Sequence, residues 1–301
     1  MITTITLNPA IDVHIGIADF RTGRENLAET VTRDVGGKGI NISRALHENG
    51  VANTPVVLIG RENGGDFVHG LHAVGLDCKI IECDGRIREN ITIHPSHGDE
   101  TRLSFKGFCV DGDVLTEVER LVDTDGIVTF TGSLPSGVTS DAAQAFLMRL
   151  NDAGAKIVID SKSVTLDMLR RVKPWLIKPN AEECEAYFGV MSEERLYSVA
   201  YELHKDGIAN VMISLGSDGA ILASEGKVYR ARVPKIDTVS TIGAGDSAIA
   251  GFIACDGTAC ERLRLALAYG SAACLREGTN PPLADDIKRI YNEVTVCEAS
   301  L

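Results

Sequence analysis

Short apolar runs alternate with amphipathic segments along nearly the whole chain. Thr3–Leu7, Pro55–Ile59, Gly126–Thr131, Lys156–Asp160, Trp175–Lys178 and Val211–Leu215 are runs of about five residues that predict strands. Between them the spacing predicts helices. Ile42, Ala45 and Leu46 share a face within Ile40–Glu48, and helical patterns recur in Asp66–Val74, Asp113–Val122, Asp141–Ala153, Ser192–Lys205 and Glu261–Arg276. Strands that are apolar throughout need cover on both faces, and intervening helices provide it. The pattern therefore predicts an α/β domain around a largely parallel sheet, with ligands gathered beyond the carboxyl ends of the strands.

Two stretches break this rhythm. "DVHIGIA" at Asp12–Ala18 and "ENITIH" at Glu89–His94 alternate polar and apolar with period two. No helix separates the second from "RLSFKGF" at Arg102–Phe108, so these runs predict strands of a small one-sided sheet standing off the main body. A lid, a dimer platform and a surface hairpin without a role are all open at this point. No repeat, linker or low-complexity segment divides the chain, which reads as one domain over residues 1–301.

Composition narrows the partners. The net charge of −12 argues against nucleic acid and anionic membranes, and it confines any basic contacts with an anionic substrate to a few positions. No apolar run approaches the roughly 18 residues of a membrane span, and "MITTITLNPA" lacks the basic start and apolar stretch of a secretory signal. A soluble cytoplasmic protein is expected. The eight cysteines show neither Cys-x-x-Cys nor zinc-ligand spacing with His, so they are expected to be reduced, buried thiols.

The most informative chemistry lies in "STIGAGDSAIAG", Ser240–Gly251, a glycine-rich turn running into a helix. Such turns cradle anions, because unpaired amides and the helix dipole both favour negative charge. Asp246 sits in that turn. A first-turn acid stabilised by the dipole is one reading of it. Gly-x-Gly-x-x-Ala is also a variant of the dinucleotide fingerprint, although no acid follows at the fingerprint spacing. Phosphoryl transfer resolves the apparent repulsion: the carboxylate takes the acceptor hydroxyl's proton while the amides of Gly243, Ala244 and Gly245 stabilise the migrating group.

"GGKGINIS" at Gly36–Ser43, "TGSLPSG" at Thr131–Gly137, "IKPNAEE" at Ile177–Glu183, "SLGSDGA" at Ser214–Ala220 and the Asp246 loop occur in this order. Together they resemble the PfkB, ribokinase-type, family of carbohydrate kinases. "TLNPAID", "RIREN", "SFKGF" and "PWLIKPN" are most similar to its bacterial 1-phosphofructokinase branch, with tagatose-6-phosphate kinases next. The resemblance implies a three-layer fold with a small β lid drawn from parts of 11–35 and 86–108. It implies transfer of the γ-phosphoryl group of ATP, with Mg²⁺, to a sugar phosphate, and a homodimer formed through the lid.

The same resemblance assigns residues. Asp246 is the implied base and the Gly243–Gly245 amides the anion hole. Gly36, Gly37, Lys38, Asn41, Asp12 and Ser133 fall on the sugar side. Arg88 and Arg102, on neighbouring lid strands, fall on the sugar's phosphate, which guanidinium forks suit; Arg24 is a weaker third. Asn180, Glu183, Ser214 and Gly216 fall on the nucleotide side, Glu183 holding Mg²⁺ through water. An oxidoreductase using the glycine loop for a dinucleotide and a silent sugar-phosphate sensor are the readings from other classes.

Overall fold

The computed structural model describes residues 1–111 and 113–299. The chain enters through β1 (Ile2–Thr6) and crosses into a small sheet with β2 (Ala10–Ile17) and β3 (Thr30–Gly36). Helix α1 (Lys38–Glu48) returns to the large sheet at β4 (Asn53–Gly60), and α2 (Gly64–Ala73) leads to β5 (Lys79–Cys83). The small sheet is completed by β6 (Arg88–Pro95) and β7 (Thr101–Leu103). Crossovers then follow in series. Helix α3 (Val114–Leu121) leads to β8 (Ile127–Thr131), and α4 (Ser140–Asp152) to β9 (Lys156–Asp160). Next, α5 (Leu166–Val172) leads to β10 (Leu176–Ile177), and α6 (Ala181–Phe188) with α7 (Glu193–Lys205) to β11 (Asn210–Ser214). A hairpin of β12 (Ala220–Ser224) and β13 (Lys227–Arg232) precedes α8 (Ala244–Ala254), α9 (Ala259–Ala273), α10 (Ala284–Glu293) and β14 (Thr295–Glu298).

The large sheet has the order β14-β13-β12-β11-β10-β9-β8-β1-β4-β5 and is parallel from β11 to β5. Its central strands alternate between two cores. Ile157 of β9 joins the core beneath α3 to α7, and its neighbour Val158 joins the core beneath α8 to α10. Helix and sheet faces of this kind contribute about 1.5–3 kcal/mol per large apolar side chain removed from water. Several helices start where short polar side chains satisfy their first amides: Thr139 accepts from Ala142 N–H at α4, and Thr258 forms a capping box with Glu261 at α9.

The small sheet, order β3-β2-β6-β7, is the separate lid. Its third stretch differs from expectation. Only Thr101–Leu103 pairs in the lid, and residues 104–108 leave it, because the chain must turn inward to bury Phe108. Gly107 makes that passage against Asn8, where a Cβ would clash with the amide oxygen. The cysteine expectation also needs correcting. All eight are free thiols, yet only Cys184 is buried, and Cys109 and Cys297 are exposed. Among the described residues no helix is long and apolar enough to cross a membrane.

Candidate active site

Strand order reverses at β1, which lies between β8 and β4, and the site opens beyond the carboxyl ends of the strands around it. Ser133 follows β8, Asp160 ends β9 and Lys178 follows β10. The lid strands bring Asp12, Arg88 and Arg102 to the same place, and the starts of α1 and α8 bring Gly37, Lys38, Asn41, Gly243, Gly245 and Asp246. All of these line one cavity of about 440 Å³.

The glycine loop shapes its floor. Gly243 is the N-cap of α8 with φ at 78°, a left-handed conformation that favours glycine, and Asp246 falls in the first helical turn. Asp246 is only 6% exposed, and Asn41 Nδ2 donates to its Oδ2 at 2.9 Å. Burial pushes the Asp246 carboxyl up to about 6, with Asp160 adding to the rise and Lys38, Asn41 and Lys178 opposing it. A base in that range suits neutral pH. Only the ionised form can accept a proton, so if Asp246 is the base, kcat is expected to fall about tenfold per unit as pH drops below about 6. A rate–pH profile at saturating substrates checks this, and a flat profile down to about pH 5 excludes an ionised Asp246 as the limiting base.

Three expected residues do not sit as anticipated. Ala244 is off the cavity lining, and its N–H points at the Thr241 carbonyl at 3.3 Å, which leaves Gly243 and Gly245 as the loop members at the cavity. Gly36 is also off the lining. It lies beneath the Asp12 carboxylate, where a Cβ would clash with Oδ2, so it makes room for that acid. Arg24 is exposed in the loop between β2 and β3, away from the lining. The two remaining guanidiniums differ. Arg88 donates to the backbone carbonyls of Asn8, Pro9 and Phe105, whereas Arg102 is half exposed and lies 3.6 Å from Asp12 Oδ1.

Asp160 and Lys178 were not among the expected residues, yet they occupy the centre. Asp160 Oδ1 lies 2.9 Å from Lys38 Nζ, and Oδ2 lies 3.5 Å from Lys178 Nζ. Burial acts to raise the Asp160 carboxyl, but Lys178 and Lys38 outweigh it and hold it below the ordinary value. For Lys38, burial acts to lower the ammonium, and Asp160 and Asp246 outweigh that and raise it. Lys38 therefore lines the cavity as the partner of an acid. The available signal was a charged residue closing each of two strand runs right after their apolar core, Ile157–Ile159 before Asp160 and Trp175–Ile177 before Lys178.

The nucleotide-side candidates lie in series beyond this centre. Glu183 is outside the central cavity, in an adjoining cleft of about 390 Å³ that shares Asp160, Lys162 and Lys178 with it. Asn180 and Glu183 form a capping box at α6: Asn180 Oδ1 accepts from Glu183 N–H, and Glu183 Oε2 accepts from Asn180 N–H. Asn180 also reaches a more open cleft with Ser214 and Gly216, and the Ser214 N–H donates to the Pro179 carbonyl at 3.0 Å.

A buried carboxylate and a glycine turn on one helix start, opposite the two lid guanidiniums Arg88 and Arg102, suit an enzyme that moves a phosphoryl group onto an alcohol. On this three-layer sheet they define a ribokinase-like phosphotransferase. Residues 6–286 match the pfkB family carbohydrate kinases, and the chain belongs to that family. It is 35% identical over 259 residues to a 1-phosphofructokinase of Haemophilus influenzae, covering 84% of this chain and 83% of that one. Identity to a 1-phosphofructokinase of Bacillus subtilis is 32% over 286 residues, covering 92% and 93%. Among solved structures, phosphofructokinase-2 from Escherichia coli in complex with substrates and products superimposes with a TM-score of 0.91. Its identity is 25%, and 97% of this chain and 98% of that one are covered. Membership implies ATP as the phosphoryl donor and sets aside dinucleotide chemistry for the glycine loop.

Proposed function

We propose that the protein transfers the γ-phosphoryl group of ATP to the 6-hydroxyl of fructose 1-phosphate, giving fructose 1,6-bisphosphate and ADP. One observation carries the reading: the buried carboxylate of Asp246 shares a cavity with two lid guanidiniums, Arg88 and Arg102. The guanidiniums hold the sugar's phosphate, and the opposite end of the sugar then presents its hydroxyl to Asp246. Asp246 accepts the hydroxyl proton as the new oxygen–phosphorus bond forms and the bond to the β-phosphate oxygen breaks. The Gly243 and Gly245 amides, with the Lys178 ammonium, stabilise the charge on the migrating group. Asn41 fixes the rotation of the Asp246 carboxylate, leaving Oδ1 for the hydroxyl. The lid expels water and so limits transfer to it.

The donor set suits magnesium. Mg²⁺ keeps several waters and takes one or two carboxylates. Asp160 Oδ2 is buried without a hydrogen bond, its nearest cation being Lys178 Nζ at 3.5 Å, and Glu183 Oε1, unused by the capping box, lies 4.0 Å from Lys162 Nζ. These two carboxylates would hold the ion, largely through water, and it would neutralise charge on the donor phosphates when bound.

An ADP-release assay across fructose 1-phosphate, fructose 6-phosphate, tagatose 6-phosphate and ribose tests the assignment. Fructose 1-phosphate is expected to give the highest kcat/KM. Preference for tagatose 6-phosphate or fructose 6-phosphate would move the protein to another activity of the family, and preference for ribose would remove the phosphate-binding role of the lid. Loss of Arg88 sharpens the test. Its fork is held by neutral carbonyls and faces the cavity, with no ion pair among the described residues and Asp12 acting only as a more distant charge, so Arg88→Ala should raise the KM for the sugar phosphate about 10–100-fold. KM for ATP should stay within about twofold, and equal rises in both constants would reject the role.

A further inference from the structure

Arg44 is buried, 7% exposed, on the helix that carries Lys38 and Asn41. Its guanidinium makes no ion pair among the described residues; Asp34 and Glu48 act on it only as more distant charges, and burial lowers its pKa. A buried cation without a carboxylate is expensive, so its neutral partners are informative. Nη1 donates to Thr279 Oγ1 at 3.4 Å and Nη2 to Asn280 Oδ1 at 3.3 Å. Both acceptors belong to the short segment between α9 and α10. Thr279 lines the central cavity, and its Cα would lie 3.6 Å from a Cβ placed on Gly243. The segment thus walls the anion cradle, and Arg44 ties that wall to α1.

Asn41, which holds Asp246, stands three residues before Arg44 and so lies on the same face of α1. We infer that Arg44 is a positioning residue: from the same turn of α1 that holds Asp246 through Asn41, it holds segment 277–280 against the Gly243 turn at the start of α8. The inference rests on the phosphotransfer reading of the site. Without the fork, segment 277–280, which turns at Gly278 with φ at 56°, is free to move away from α1 and carry the Gly243 wall with it. The carboxylate stays on Asn41. The Gly243 turn that opens α8 then loses its backing while Asp246 stays held, and displacements of that turn on the order of 1 Å are enough to slow transfer up to about 10²-fold.

Arg44→Gln and Arg44→Lys, the second keeping the charge without the fork, should each lower kcat about tenfold. KM for the sugar phosphate should stay within about twofold. Thr279→Val removes one of the link's two hydrogen bonds from its other end, with little change of volume. Combined with Arg44→Gln it should add nothing to the loss in kcat. Additive losses, or turnover of both Arg44 variants within about twofold of the parent, would overturn the inference. Amide hydrogen exchange gives a readout independent of the sugar accepted. Exchange at Gly243–Ser247 and at residues 277–280 should quicken in Arg44→Lys and in Thr279→Val while β9 stays protected. Unchanged exchange at the cradle also overturns the inference, even if the parent enzyme proves to use another sugar. If Arg44→Gln fails to fold, the Lys and Thr279 variants carry the test.

Discussion

Asp246→Asn is expected to lower kcat about 10²–10⁴-fold with nucleotide binding retained. The amide keeps the size of the side chain and still accepts the Asn41 hydrogen bond, so shape is preserved and only proton acceptance is lost. The same change should make the protein more stable at neutral pH. The folded-state carboxyl is raised from 3.8 to about 6, so below 3.8 the protonated group costs the fold nothing, and the penalty grows as pH rises through that window. Above about pH 6 it is fully present and amounts to about 3 kcal/mol. Asp246→Asn should therefore melt several degrees higher than the parent at pH about 8, with the difference vanishing near pH about 4. Near-normal turnover would remove Asp246 from the mechanism. A lower melting temperature at alkaline pH would show that its charge is compensated better than its burial indicates.

The parts of this site that could be read in advance share one property: their signal is local. An acid after two glycines, a helix start and a period-two lid strand are each written within about a dozen consecutive residues. The hairpin β12–β13 was not legible for a related reason. Both faces of β12 are buried, so it shows no alternation, and its turn is Glu225-Gly226 rather than the Asn-Gly or Asp-Gly that marks such turns. Arg102–Phe108 misled because its alternation runs on through Phe105 and Lys106, while the strand pairing ends at Leu103, where the chain turns to the core. Lys38 was assigned to the sugar through its place in the glycine motif, yet its partner Asp160 is remote in sequence. Asp160 and Lys178 were invisible as a pair because each is one charge ending a separate strand. Only the β9–β10 pairing makes them neighbours.

That pairing makes Lys178 the second large effect. The residue is 7% exposed and its ammonium would lie 3.1 Å from a Cβ placed on Gly245, so it stands at once beside Asp160 and beside the anion cradle. Removing it withdraws a fixed cation from the point where charge develops, and it deepens the burial penalty on Asp246, which Lys178 opposes. Lys178→Met should lower kcat about 10²–10³-fold and move the acid limb of the rate–pH profile upward. It should also destabilise the fold by about 1–3 kcal/mol, because Asp160 loses one of two cations and keeps only Lys38 as an ion-pair partner. The paired change Lys178→Met with Asp160→Asn separates these effects. Removing the stranded carboxylate should restore much of the melting temperature and none of the turnover. Recovery of turnover in the double variant would mean that Lys178 serves only to neutralise Asp160, with the glycine amides alone carrying the migrating group.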